Sequence, residues 1–175
     1  MRGVAIAGVL VAACSADQDA GNAPQPPLIE TGAPDLPDQP PLYNYASIKT
    51  AIAEAQETLP VFWGQFDNPA SGTEQFRVKI IHPSDEYERD YVWVEYLQQA
   101  SETEWRGSVM IENGGNDRFQ TGLTVFFDQA DIVDWGYTEN GLMRGSYTSR
   151  AMLGLAPDAD TSAIAARFHD SPVPE

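Results

Sequence analysis

The chain has 175 residues, 26 acidic against 10 basic, for a formal net charge of −16. So acidic a surface repels phosphate backbones and disfavours nucleic-acid binding. No apolar run approaches the eighteen residues of a membrane-spanning helix. A single cysteine and two histidines leave no internal disulfide and no Cys- or His-based metal centre, so neither metal nor cofactor is expected.

Met1-Arg2 is a short basic start, Gly3 to Val11 is small and apolar, and Ala12-Ala13-Cys14 is followed at once by polar Ser15, Asp17 and Asp19. This order is that of a secretory signal. With Cys14 directly after the small pair it resembles a bacterial lipoprotein signal. The resemblance implies cleavage after residue 13, a diacylglyceryl thioether on Cys14 and further acylation, since two or three chains hold a membrane where one binds marginally. Ser15 in place of Asp favours the outer membrane.

Residues 15–42 hold seven of the 13 prolines and five acidic residues, with no base and almost no large apolar side chain. Such a segment cannot offset its ordering entropy and is expected to be a disordered tether with polyproline II bias. Its reach is about 30 Å as a coil and at most about 90 Å extended. The rest, residues 43–175, is expected to be a single domain, its tail after about 157 uncertain.

Ile48, Ile52, Ala55 and Leu59 form one stripe, which predicts a helix over 43–58 stopped by Pro60. The apolar spacing then changes to two. Strands are expected at 76–80, 91–97, 105–111, 123–127, 132–137 and 142–149. Turn signals stand at 113–117 and at Asn140-Gly141. A last short helix is expected over 161–168. A helix before six short strands with tight connections predicts an α+β fold. The helix packs on a strongly bent, mainly antiparallel sheet that approaches a partly open small barrel.

The expected hairpin through Asn140-Gly141 brings Asp134 and Trp135 toward Thr148 and Arg150. Arg150 is expected to form a bidentate pair with Asp134. Two readings of this cluster follow. In one, Trp135 stacks on a small ligand and Arg150 grips its anion. In the other, Asp134 and Arg150 clamp the fold beneath an aromatic lid. Asp128, Asp131 and Asp134 recur every third residue, and hard cations take carboxylate oxygens. The same residues also read as an ordinary turn, and no Asp-x-Asn-x-Asp-Gly loop is present. The acidic run 85–90 reads as a solvated hairpin tip, or as a docking point for a basic partner. No catalytic residues are identified. His82 lies beside Pro83 and His169 in the tail, and neither a Gly-x-Ser-x-Gly turn nor a His-Glu-x-x-His helix exists.

Several segments share an order and spacing with a known family. They are Thr58-Leu59-Pro60-x-Phe62-Trp63, Phe76-x-Val78-Lys79, Trp93-Val94, Gly107, Asn113, Gly122-x-x-Val125-x-Phe127 and Ile132-Val133-Asp134-Trp135-x-Tyr137. The last is Asn140-Gly141-x-Met143-x-Gly145-x-Tyr147-Thr148-x-Arg150. Over 46–153 the chain resembles the bacterial domain-of-unknown-function 2314 family, the YegJ-like proteins. Gly114-Gly115 departs from the Asp-Pro-like turn of many members. The resemblance implies a small α+β domain and no established activity.

Together these features give an expected bacterial cell-envelope lipoprotein, held at the membrane by lipid on Cys14. It acts as a non-catalytic domain that binds an envelope protein partner. The alternative is a small-ligand or enzymatic domain with its pocket at Asp134, Trp135, Thr148 and Arg150.

Overall fold

The computed structural model describes residues 37–110, 119–156 and 160–174. The expected signal segment 1–13, Cys14, most of the tether and the turn at 113–117 lie outside the described residues. No described helix is long and apolar enough to cross a membrane.

A 22-residue helix, α1 (Ala46–Asp67), is followed by strands β1 (Thr73–His82), β2 (Asp90–Gln99), β3 (Glu104–Met110), β4 (Thr124–Asp128), β5 (Ile132–Glu139) and β6 (Leu142–Gly145). Helices α2 (Tyr147–Leu153) and α3 (Ser162–Ala165) close the chain. The strands form one antiparallel sheet in the order β4-β3-β2-β1-β5-β6, curled into a half-barrel, so the fold is α+β.

Helix α1 lies on the inner face. Ile48, Ala51, Ala55 and Phe62 are buried on it, against Val78, Ile80, Val94 and Trp135 of the central strands. The helix does not stop at Pro60, as the sequence predicts, but runs a further seven residues to Asp67. A proline inside a helix costs about 3 kcal/mol. Past it, Phe62, Trp63 and Phe66 enter an aromatic cluster with Phe76, Trp105 and Trp135, and that burial offsets the lost bond.

Two other expectations are corrected. The sixth strand ends at Gly145, where φ is +64°, and residues to 153 are helical rather than extended. The last helix is four residues long, and Phe168 bridges Met143 instead of extending it. The described end of the expected tether is also seated on the domain. Glu88 and Arg89 amides donate to the carbonyls of Pro37 and Asp38. The Arg89 guanidinium pairs with the Asp38 carboxylate, and Tyr91 donates its hydroxyl to Gln39 Oε1 at 2.7 Å. Within a single 3-10 turn (Pro41–Asn44), Tyr43 stacks on Tyr91 with ring centroids 3.5 Å apart.

Candidate functional site

The sheet's outer face carries two neighbouring features, a buried polar cluster and an open cleft. In the cluster Asp134 of β5 stands opposite Lys79 of β1. Its carboxylate accepts four hydrogen bonds. Oδ1 takes the amides of Trp135 (2.8 Å) and Tyr147 (3.1 Å), and Oδ2 takes the Thr148 amide (2.8 Å) and hydroxyl (2.6 Å). Asp134 thus caps α2 from a distant strand, because the N-cap residue Ser146 is left-handed and makes no side-chain cap bond. Lys79 donates to Thr148 Oγ1 at 3.0 Å and to the Tyr43 hydroxyl at 3.3 Å, with its ammonium 4.9 Å from the Trp93 ring centre. Burial pushes the Asp134 carboxyl up from its ordinary value, while Lys79 and the donors from Thr148 and Trp135 pull it back.

The hairpin therefore brings Asp134, Trp135 and Thr148 together, but all three are fully buried. Trp135 is packed between Phe62, Tyr137 and Tyr147, and its indole donates to the Ala55 carbonyl at 2.9 Å. It offers no face for stacking on a ligand. Arg150 does not pair with Asp134. Two residues beyond Thr148 on α2, its guanidinium donates to the carbonyls of Gly145, His169 and Met143. It thereby ties the C-terminal tail to β6, and burial lowers its pKa. The three evenly spaced aspartates do not converge either. Asp128 and Asp131 form a capping box around the 3-10 turn Gln129–Asp131, while Asp134 serves α2.

The cleft lies farther along the same face and was not legible as a site in the sequence. Pairing of β1 with β2 runs from His82↔Asp90 to Arg77↔Glu95 and stops there. Just beyond, Gln75 (φ +55°) and Tyr96 (φ +54°) are left-handed, each within a register shift against its other neighbour strand. Below these bulges β1 continues with β5 and β2 with β3, so the sheet forks. A cavity of about 520 Å³ occupies the fork, lined by Arg77, Glu95, Tyr96, Met110, Met143 and Arg167 among others. Tyr96 is 74% exposed. The Arg77 guanidinium lies over the Trp93 ring and reaches the sulfurs of Met143 (2.9 Å) and Met110 (3.9 Å). The same Trp93 ring lies beside the Lys79 ammonium. A non-glycine residue in the left-handed region is uncommon, and two of them, Gln75 and Tyr96, line this cavity.

Among known proteins, a family model described as an uncharacterised protein conserved in bacteria (DUF2314) matches residues 46–163. No curated protein and no solved structure matches. The chain belongs to the DUF2314 family.

Proposed function

We propose that this member of the DUF2314 family is a lipid-anchored, non-catalytic binding domain of the bacterial cell envelope, which recognises its partner through the cleft at the fork of the sheet. One observation carries the reading. The segment leading in from the N-terminus is fastened at Glu88 and Arg89, beside the closed end of the β1–β2 pair, and the cleft opens at the other end of that pair. About six residues of strand, roughly 20 Å, separate the two. The described part of the incoming segment thus meets the domain away from the cleft and leaves the cleft uncovered. The signal-like start with Cys14 and the acidic, proline-rich spacer support the anchor and favour the outer membrane.

Two experiments test the reading. In the source cells, Cys14→Ala should abolish acylation, leave precursor and release the protein from the membrane fraction. A wild-type chain found unlipidated and fully soluble would overturn the anchor. A photo-crosslinking residue at position 96 of the full chain should trap one stoichiometric partner. The same probe at position 57, on the exposed face of α1, should not.

A further inference from the structure

We infer that the forked cleft takes a zwitterion of the amino-acid type, with ammonium and carboxylate on one carbon and an apolar or aromatic side chain. The inference rests on the cleft reading and names the chemical group of the partner that the cleft grips. The chain as a whole carries 26 acids against 10 bases, so an unspecialised surface would repel anions and attract cations. The cleft departs from that balance, its lining holding two arginines, Arg77 and Arg167, and two glutamates, Glu74 and Glu95.

Three of these four groups are unspent. Glu74, Glu95 and Arg167 have no side-chain hydrogen bond or ion pair among the described residues. A simple carboxylate entering here would meet two glutamates, and a simple amine two arginines. A zwitterion places a charge against each set. Soft and apolar side chains share this lining. Met110 and Met143 supply adaptable thioethers, and the exposed Tyr96 ring stands at the rim. A cavity of about 520 Å³ suits a ligand of this size.

Calorimetric titration of the full lipidated chain in detergent tests the inference with three probes: L-phenylalanine, 3-phenylpropionate and phenethylamine. L-Phenylalanine should bind, and each single-charge analogue should bind about tenfold more weakly or less. Arg167→Gln should weaken L-phenylalanine and 3-phenylpropionate but not phenethylamine. Glu95→Gln should weaken L-phenylalanine and phenethylamine but not 3-phenylpropionate. A melting curve confirms that each variant is folded. Equal or tighter binding of either analogue overturns the zwitterion. Absence of L-phenylalanine binding, with a partner still trapped from position 96, overturns the ligand class and leaves the cleft reading standing. Absence of both overturns the two together.

Discussion

Lys79 and Asp134 face each other across the β1–β5 ladder, both buried, at 4% and 0% exposure, and Thr148 Oγ1 joins them. The pair fastens three parts of the chain that are far apart in sequence. Lys79 reaches forward to Tyr43, Asp134 holds the start of α2, and both sit beneath the aromatic roof of Trp93 and Tyr43. Buried ion pairs often add little net stability over an apolar filling, but losing one partner strands the other. We therefore expect Asp134→Asn to destabilise the domain by about 3 kcal/mol, because its amide turns a donor toward backbone amides that the carboxylate accepts from, and because the negative charge beside the buried Lys79 is lost. Chemical denaturation of the variant measures this.

Two glycines with left-handed backbone should respond differently to alanine. At Gly145 an added Cβ would lie 2.2 Å from the Trp135 carbonyl oxygen and 2.4 Å from its ring, between strand and buried core. At Gly122 no atom of the described residues lies within 4 Å. Gly122→Ala should cost about 1 kcal/mol, the backbone penalty alone. Gly145→Ala should cost more than twice that or prevent folding. Melting temperatures of the two variants decide it.

The acid side of the pH profile should loosen the docked N-terminal segment. The Arg89 guanidinium bonded to Asp38 holds that carboxyl below its ordinary value of 3.8. A depressed carboxyl contributes fully above its unfolded value and loses its contribution as pH falls through the folded one. The Glu88 and Arg89 amides, which donate to Pro37 and Asp38, should keep constant protection from hydrogen exchange above pH 3.8 and lose it below. In Asp38→Asn that pH dependence should vanish. The pair is exposed, so global stability should change little.

Strain at the fork makes a prediction of the opposite sign to most substitutions. Tyr96→Gly removes a side chain from a left-handed backbone where glycine is at ease. Its melting temperature should equal or exceed that of wild type, while binding through the cleft is lost. Stability traded for activity in this way is expected where a strained residue serves recognition.

The fold class and the places of the first five strands were legible, and the start of the sixth, because alternation of apolar side chains marks half-buried strands wherever a turn signal bounds them. The site was only partly legible. Asp134 and Thr148 were brought together by the Asn140-Gly141 hairpin, yet the period-two pattern carries no sign that the chain turns helical at Tyr147. That turn is set by the left-handed Ser146 and by Asp134, one local and one remote. Arg150 then falls on the far side of α2. Lys79 reads as a solvent-facing residue, since it alternates with Val78 and Ile80. The return of Tyr43 over the outer face, with Thr148 and Trp93, buries it. Pro60 ends a helix in isolation, but not one whose next turn carries Phe62, Trp63 and Phe66 into the core. The fork had no signal at all, because bulges at Gln75 and Tyr96 use residues with no preference for left-handed backbone.

The central claim is that the cleft at Tyr96 is the recognition surface, and crosslinking from that position in the source cells tests it most directly. We predict one stoichiometric adduct from a photo-crosslinker at position 96 of the membrane-anchored chain. It should disappear with the probe at position 57. Equal labelling from both positions, or none from either with the protein folded at the membrane, would contradict the account.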